Sequence, residues 1–348
     1  MRVAILTVQV PFVYGGAEQH AEGLRQAIER AGHQACIVAL PFKWYPPDRV
    51  LDHLLACRLF DLSESAGVPI DRVIGLKFPA YLVPHPNKVL WILHQHRAAY
   101  DLWESSLGDL IRYPDGALVR DAVLAADQAY LPEARRIYGN SKNVTTRLLR
   151  YCGIEATPLY HPPPAAEAFF SSPAQDYFFF PSRLWPTKRQ WLVIEALSRT
   201  REVARVRFAG AADHPDYALT LRARAVELGV AGRIEWLGAI AENEKVRQYA
   251  HALAVVYPPA DEDYGYVTLE AMLAGKAVLT CSDSGGPLEF VVRGETGLVV
   301  EPTPEALAAA MDRLWCDRPR ARAMGEMGRE HYRSLGISWQ GVVEELLG

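Results

Sequence analysis

The chain of 348 residues has few cysteines, little net charge and no long apolar run. Its five cysteines are scattered and none forms a C-x-x-C pair, which argues against a zinc site and favours free thiols in a reducing compartment. A net charge of -4 provides no global field to attract nucleic acid. Because no stretch approaches the roughly 18 consecutive apolar residues of a membrane span, no transmembrane helix is expected.

Two phosphate-binding fingerprints are also missing. The chain contains neither a G-x-G-x-x-G element nor a P-loop, which disfavours a dinucleotide-dependent oxidoreductase. The opening residues, MRVAILTVQVPF, lack the length and the cleavage site of a signal peptide and predict a first strand instead.

Short apolar runs such as RVAILTV, KVLWILH and ALAVVYPPA alternate with helical patterns along the chain. Continuous apolar strands between helices predict parallel sheets that are covered on both faces. The alternation occurs twice, on either side of three prolines at 162–164. The sequence therefore predicts an α/β fold of two doubly wound domains, 1–165 and 174–330. Ligands of such domains bind beyond the carboxyl ends of the strands, so two facing domains would form one cleft.

Two glutamates flank a glycine in DEDYGYVTLEAMLAGK, residues 261–276. Glu262 follows an apolar strand and is expected at the ligand-binding edge of a sheet. Glu270 lies about one turn into the next helix, where the helix dipole alone would favour a carboxylate. A carboxylate is also a natural acceptor for two adjacent hydroxyls, such as a ribose diol, and Gly265 permits close approach of the backbone to a ligand. These residues alone leave both explanations of Glu270 open.

Other segments suggest a site for an anion. Arg183 follows the apolar strand YFFFP, and Lys188 comes just before a predicted helix, so the two cations would suit a diphosphate. Solvated surface charges are the alternative. Gly15 and Gly16 precede the first predicted helix, whose unpaired N–H groups would also face an anion.

Taken together and in this order, these segments resemble the retaining glycosyltransferases of family 4, which have the GT-B fold. The resemblance covers nearly the whole chain and is strongest from 176 to 302, where the segments that carry it are PSRLWPTKRQWLVIEAL, VRFAG, IEWLGAIAENEKVRQYAHA and YPPADEDYGYVTLEAMLAGKAVLTCSDSGGPLEFV. The spacing E-x7-E, from Glu262 to Glu270, is its most diagnostic element.

The resemblance implies roles for these residues in binding a nucleotide-sugar. Glu270 would hold the ribose, and Glu262 would lie beside the donor sugar. Arg183 and Lys188 would grip the diphosphate and stabilise its charge as it leaves, without a metal ion and without a permanently bound cofactor. Gly15 and Gly16 would lie near the phosphates, and the turn that approaches the sugar would consist of Asp263, Tyr264, Gly265 and Tyr266.

The N-terminal half departs from the family pattern. Lys77 stands near a position where many members have a histidine, whereas His94 matches a histidine that is common at the end of the next strand. We expect His94 to take part in the reaction, and Lys77 and His96 to contact the acceptor or sugar. A satisfied structural role is the alternative for a single histidine. By analogy with this fold, the last segment, 331–348, is assigned to the N-terminal domain.

The expected activity is therefore hexosyl transfer from a UDP- or GDP-sugar to a glycan, a lipid-linked or a small-molecule acceptor, as in polysaccharide biosynthesis. A cytoplasmic location is expected, with peripheral contact at the inner membrane face suggested by the basic stretch 134–150; a solvated helix face is the alternative there. The rival functions are a GT-B sugar-nucleotide epimerase and a non-catalytic nucleotide-sugar-binding module. The donor, the acceptor and the oligomeric state do not follow from the sequence.

Overall fold

The chain forms two units, each built on its own six-stranded parallel sheet. The computed structural model describes residues 1–105, 107–212 and 214–348. The first unit comprises 1–164 together with 338–348, and the second comprises 165–337. The first boundary falls directly after the prolines at 162–164. The predicted architecture of two doubly wound α/β units is confirmed.

The first sheet has the strand order β2-β1-β5-β6-β7-β8, and all neighbouring strands are parallel. The strands of this unit, including a small separate hairpin of β3 and β4, are β1 (Arg2–Gln9), β2 (Gln34–Pro41), β3 (Glu64–Ser65), β4 (Val68–Pro69), β5 (Arg72–Lys77), β6 (Lys88–His94), β7 (Arg136–Gly139) and β8 (Thr157–Pro158). The helices of residues 1–164 are α1 (Gly16–Arg30), α2 (Arg49–Leu59), α3 (Gly116–Tyr130) and α4 (Lys142–Cys152).

Strand β1 shows why its sequence is apolar throughout. Val3 and Ile5 belong to one buried cluster of the first unit, whereas Ala4 and Leu6 belong to the other. Successive side chains of a strand point to opposite faces of the sheet, so both faces of β1 are covered. The opening residues therefore form the first strand, as predicted from the sequence.

The second sheet has the order β11-β10-β9-β12-β13-β14 and is also parallel throughout. Its strands are β9 (Phe178–Pro181), β10 (Val206–Ala209), β11 (Ile234–Gly238), β12 (Ala254–Val256), β13 (Val278–Cys281) and β14 (Gly297–Val300). Its helices are α5 (Gln190–Leu197), α6 (Pro215–Glu227), α7 (Glu242–His251), α8 (Tyr266–Leu273), α9 (Pro304–Cys316) and α10 (Arg318–Ser334).

The order of the second sheet determines where its loops meet. From β9 the chain moves outwards through β10 and β11, and then returns to the other side of β9 with β12. The loops that leave the carboxyl ends of β9 and β12 therefore lie side by side. Such a reversal of strand order creates the crevice in which open α/β sheets bind ligands.

The last helix, α11 (Trp339–Leu347), packs on the first unit. Its Val342, Val343 and Leu346 join the buried cluster that also contains residues of α1. The carbonyl of Leu346 accepts a 2.6 Å hydrogen bond from Arg72. This segment was predicted to begin at 331, whereas 331–337 lies in the second unit because α10 continues to Ser334.

Among the described residues, none of the helices has the length and apolarity needed to cross a bilayer.

Candidate active site

Three loops meet at the carboxyl edge of the second sheet, and backbone hydrogen bonds hold them together. The N–H of Ala260, after β12, donates to the carbonyl of Thr187, after β9, at 2.7 Å. Glu262 is tied to the loop after β13 in both directions: its N–H donates to Ser284 at 3.0 Å, and its carbonyl accepts from Gly286 at 2.8 Å. These bonds bring residues that are far apart in the sequence to one place.

The same edge carries a polar group formed by Lys188, Tyr257 and Glu262. The ammonium of Lys188 donates to the Glu262 carboxylate. The hydroxyl of Tyr257 donates to the same carboxylate oxygen at 3.0 Å and lies 3.4 Å from Nζ of Lys188. The side chains of Lys188 and Glu262 are 17% and 18% exposed, so the pair is largely shielded but still accessible.

Tyr257 remains a hydrogen-bond donor in this setting. Burial, and then the charge of Glu262, raise the pKa of its hydroxyl well above the usual value. The charge of Arg183 opposes part of this shift, which shows that Arg183 lies near the same group. The structure thus brings Arg183, Lys188 and Glu262 together, and it adds Tyr257, which the sequence analysis missed. Its position at the end of an apolar strand, next to the site turn, was the available signal.

Glu270 belongs to a second polar group, centred on α7 and α8. Lys245 donates to its Oε1 at 2.8 Å, and Tyr249 donates to its Oε2 at 2.6 Å. Glu270 is only 4% exposed. Burying a carboxylate is costly unless it is paired and hydrogen-bonded, and both conditions are met here. Neither Lys245 nor Tyr249 was identified from the sequence.

The turn between Glu262 and α8 is shaped by close backbone contacts. Gly265 caps α8 with φ +83°, a left-handed conformation that glycine adopts without strain. The ring of Tyr264 packs edge-on against Tyr266 and Phe290, with centroids 5.6 and 5.7 Å apart. A side chain at Gly286 would lie 2.6 Å from the carbonyl oxygen of Tyr264. Asp263, Tyr264, Gly265 and Tyr266 therefore form one ordered turn beside Glu262.

A further ion pair fixes the loop that carries Lys188. The guanidinium of Arg189 binds both carboxylate oxygens of Asp283, at 2.8 and 2.7 Å. Bidentate pairs of this kind are specific in geometry as well as strong. The pair of Arg189 and Asp283 joins the loops that follow β9 and β13.

In the first unit, the predicted residues lie at the carboxyl edge of the first sheet. Gly15 caps α1, and its N–H donates to Glu18 Oε2 at 2.8 Å. Nζ of Lys77 is 4.0 Å from Oε1 of the same glutamate. Lys77 is also paired in register with His94 across β5 and β6. The structure thus connects Gly15, Gly16, Lys77 and His94 through neighbouring elements, and it adds Glu18 to them.

The two histidines after β6 have different surroundings. Nδ1 of His94 lies 2.7 Å from the carbonyl of Gln95. The ring of His96 stacks on Phe78 with centroids 5.1 Å apart. Burial, and then the charge of His94, lower the pKa of His96 to about 4. His96 is therefore a neutral, stacked imidazole at neutral pH.

A cavity of about 630 Å³ lies at the opposite, amino-terminal edge of the second sheet. Two of its lining cations already have partners: Arg207 pairs with Glu235 at 2.7 Å, and Arg233 donates to the carbonyls of Ala204 and Leu197. The carboxyl edge, with its shielded but accessible charges, is the better candidate for the site.

A known family resembles the second unit. Residues 166–331 match the family model for glycosyl transferases group 1. This segment, which is somewhat less than half of the chain, is similar to the group 1 glycosyl transferases. All of the loops around Lys188, Glu262 and Glu270 fall within it.

Curated mannosyltransferases are similar to this chain over part of their length. The alpha-1,3/1,6-mannosyltransferase ALG2 of Dictyostelium discoideum is 32% identical over 121 residues, which are 35% of this chain and 29% of that protein. A GDP-mannose-dependent alpha-(1-6)-phosphatidylinositol monomannoside mannosyltransferase of Mycobacterium tuberculosis is 37% identical over 161 residues, covering 43% of this chain and 40% of that protein. The chain thus spans less than half the length of these two relatives.

Solved structures match over the whole chain. Sucrose-phosphate synthase from Thermosynechococcus elongatus has a TM-score of 0.78 at 18% identity, covering 99% of this chain and 97% of that chain. Anabaena HepE in complex with UDP and glucose has a TM-score of 0.71 at 18% identity, covering 100% and 99%. At such identities the similarity concerns the fold. The chain has the GT-B fold of two Rossmann-like units.

Proposed function

We propose that the chain is a retaining hexosyltransferase that moves a sugar from a nucleoside-diphosphate sugar to an acceptor hydroxyl. The observation that carries this proposal is the pairing of Lys188 with Glu262 beside Arg183, at the edge of the sheet where group 1 glycosyl transferase sequence is matched. Two cations at this edge suit a diphosphate, and a carboxylate next to them suits a sugar that gains positive charge.

Each group has a distinct part in this proposal. Glu270 accepts hydrogen bonds from the ribose hydroxyls, and the turn at Gly265 brings backbone close to the sugar. Arg183 and Lys188 neutralise the diphosphate, so that the charge which develops on its leaving oxygen is stabilised without a metal ion. Before the donor binds, the charge of Lys188 is compensated by Glu262.

The proposed step balances without a protein nucleophile. The bond between the anomeric carbon and the phosphate oxygen breaks, and its electron pair leaves with the nucleoside diphosphate. The acceptor oxygen bonds to the same face of the anomeric carbon, which passes through an oxocarbenium-like state. The acceptor proton moves to the departing phosphate, and configuration is retained. Lys77 and His94 are the residues of the first unit that we propose to assist the acceptor or the sugar.

The donor is proposed to be a UDP- or GDP-sugar. The Mycobacterium tuberculosis relative is described as GDP-mannose-dependent, and the Anabaena structure contains UDP and glucose. The phosphatidylinositol mannoside acceptor of that relative is a lipid, which supports a lipid-linked acceptor alongside glycans and small molecules.

We further propose a cytoplasmic location with peripheral membrane contact through the basic stretch 134–150. One of its cations is not available for such contact, because Arg147 is buried and lies 3.8 Å from Asp101. The exposed cations that remain on that stretch are Arg135, Arg136, Lys142 and Arg150. Flotation with anionic vesicles would test this contact.

A thermal-shift screen of UDP-, GDP-, ADP- and TDP-sugars tests the function. We expect one nucleotide class to stabilise the protein, and transfer with retained anomeric configuration to continue in the presence of a chelator. Product analysis with the donor alone separates this activity from an epimerase, which would convert the donor without an acceptor. Stabilisation by none of the four classes would contradict the proposal.

A further inference from the structure

Lys245 and Tyr249 both bind the Glu270 carboxylate from one face of α7. The two residues are four positions apart, so they lie on the same side of the helix. One donates to each carboxylate oxygen of Glu270, at 2.8 and 2.6 Å. A carboxylate has about four lone-pair positions, so one on each oxygen remains for a ligand.

The charge of Lys245 is fixed by two acids. Its Nζ lies 2.8 Å from Glu242 and 2.8 Å from Glu270. Burial alone would lower its pKa, but the charges of the two glutamates outweigh burial and raise it. Tyr249 is fully buried, and burial followed by the charge of Glu270 raises the pKa of its hydroxyl well above the usual value. Both side chains therefore remain donors throughout the neutral pH range.

We propose that Lys245 and Tyr249 are positioning residues that make the donor site select ribonucleotides over 2′-deoxyribonucleotides. They do so by fixing the plane of the Glu270 carboxylate, so that its two remaining lone pairs face two adjacent hydroxyls. This inference rests on the proposed function, in which Glu270 binds the ribose.

The physical reason is the cost of an unpaired buried acceptor. When a carboxylate is held rigidly, a ligand that lacks one hydroxyl leaves a lone pair without a partner, and this cost falls on binding. A carboxylate that can rotate recovers part of the loss by turning towards the remaining hydroxyl. Loss of the hydrogen bond from Lys245 or Tyr249 would allow the Glu270 carboxylate to rotate. This should weaken the preference for the diol more than it weakens binding of the nucleotide as a whole.

A merely structural role would have a different result. If Lys245 only neutralised a buried charge, its loss would weaken the binding of both nucleotides by the same factor. If Lys245 competed with the ribose for Glu270, its loss would strengthen ribonucleotide binding. The ratio of the two affinities separates these cases.

The test is calorimetric titration with UDP, GDP and their 2′-deoxy forms. The variants are Lys245→Met, which removes the ammonium, and Tyr249→Phe, which removes the hydroxyl. Arg247→Met is the matched control, because Arg247 is an exposed cation on the same helix. We expect the ratio of deoxy to ribo Kd to fall about tenfold in Lys245→Met, to fall in Tyr249→Phe, and to stay at the wild-type value in the control.

A ratio within twofold of wild type in both variants would overturn the inference, as would a gain in ribonucleotide affinity. Should Lys245→Met not fold, Tyr249→Phe and Lys245→Gln decide the matter by the same ratio. The variant Glu270→Ala distinguishes a failure of the proposed function from a failure of this inference alone. If it binds UDP or GDP as wild type does, the proposed contact between Glu270 and the ribose fails, and the inference fails with it. If wild type binds neither nucleotide, the proposed UDP- or GDP-sugar donor is wrong, and the inference fails as well. If Glu270→Ala loses the ribose preference while the α7 variants keep it, only this inference fails.

Discussion

Lys188 and Glu262 are 74 positions apart in the chain, yet they form a direct ion pair at the carboxyl edge of the second sheet. Tyr257 holds the same carboxylate at 3.0 Å, so the acid has two donors before any ligand arrives. An anionic donor would have to share Lys188 with Glu262. The pair is therefore a prepared site, in which charges are in position at little cost in reorganisation.

Removing the cation of this pair should affect turnover more than binding. We expect Lys188→Ala to lower kcat roughly 100-fold, because an electrostatic contact to the leaving group is then lost, with a smaller change in KM. Steady-state kinetics with saturating acceptor measure both constants. Arg201→Met is the control, since Arg201 is an exposed cation of the same unit. Equal changes in both variants would contradict the role of Lys188.

Replacing Glu270 should weaken donor binding. In Glu270→Ala we expect the Kd of the nucleotide-sugar to rise about tenfold or more, because hydrogen bonds to a charged acceptor are lost. The change also leaves Lys245 and Tyr249 without their acceptor, so the melting temperature should fall as well. Calorimetry with the donor identified by screening gives the affinity, and wild-type affinity in the folded variant would count against the assignment.

The turn beside Glu262 offers a test that changes no polar side chain. In Gly286→Ala the new methyl would meet the carbonyl of Tyr264 at 2.6 Å, so the backbone must move. We expect a loss of donor affinity of at least several-fold, together with a modest drop in melting temperature. Gly232→Ala is the matched control, because no atom lies within 4 Å of its added methyl. Similar behaviour of the two variants would show that the turn does not shape the site.

The attachment of α11 can be tested by a double-mutant cycle. A methyl at Gly23 would lie 2.5 Å from Cζ2 of Trp339, so Gly23→Ala should cost about 1–3 kcal/mol of unfolding free energy. In a Trp339→Ala background the same change should stabilise the protein by up to about 1 kcal/mol, since alanine favours helix more than glycine does. Urea unfolding measures the free energy of unfolding of each variant in the cycle. If Gly23→Ala still destabilises the protein in the Trp339→Ala background, the contact between position 23 and Trp339 is excluded.

Two buried histidines predict a loss of stability in acid. His20 and His161 lie 2.9 Å apart, and burial lowers the pKa of His20 to about 3. Burial, and then the charge of His20, lower the pKa of His161 well below its usual value. The unfolded chain binds protons near pH 6.5, whereas the folded chain does not until much lower pH. The contribution of the two neutral histidines to the free energy of unfolding is thus complete above about pH 6.5 and is lost progressively below it.

The slope should reach at most about 1.4 kcal/mol per pH unit for each histidine. We expect urea unfolding of wild type between pH 4.5 and 7 to show this dependence, and the double variant His20→Leu, His161→Leu to show a smaller one. If the free energy of unfolding depends on pH in the same way in wild type and in the double variant, the two histidines are not the cause of the acid destabilisation.

The sequence predicted those features that depend on local patterns. The continuous apolar runs of β1 and β12 indicated buried parallel strands, and the site turn after β12 was located because ligand-binding loops follow such strands. Each of these conclusions needed only a short window of the chain.

What the sequence did not predict are pairings between distant residues. Lys245 finds Glu270 only because α7 packs near α8, and nothing in the sequence near either residue indicates the partner. The same holds for the buried carboxylate of Asp127, which accepts from Tyr81 and Tyr100 at 3.0 and 2.7 Å. The expected boundary at 331 also differs from the observed one, because α10 continues to Ser334.

The first unit is discontinuous, because it is completed by residues 338–348. During synthesis the ribosome therefore releases all of the second unit before Trp339 of α11 can pack against Trp91 and His20. A fragment that stops at residue 164 would leave the apolar surface beneath α11 open to water, including Ala27 and Ile28 of α1. Such a fragment is expected to aggregate, and a soluble first unit would need α11 grafted back onto it by a linker.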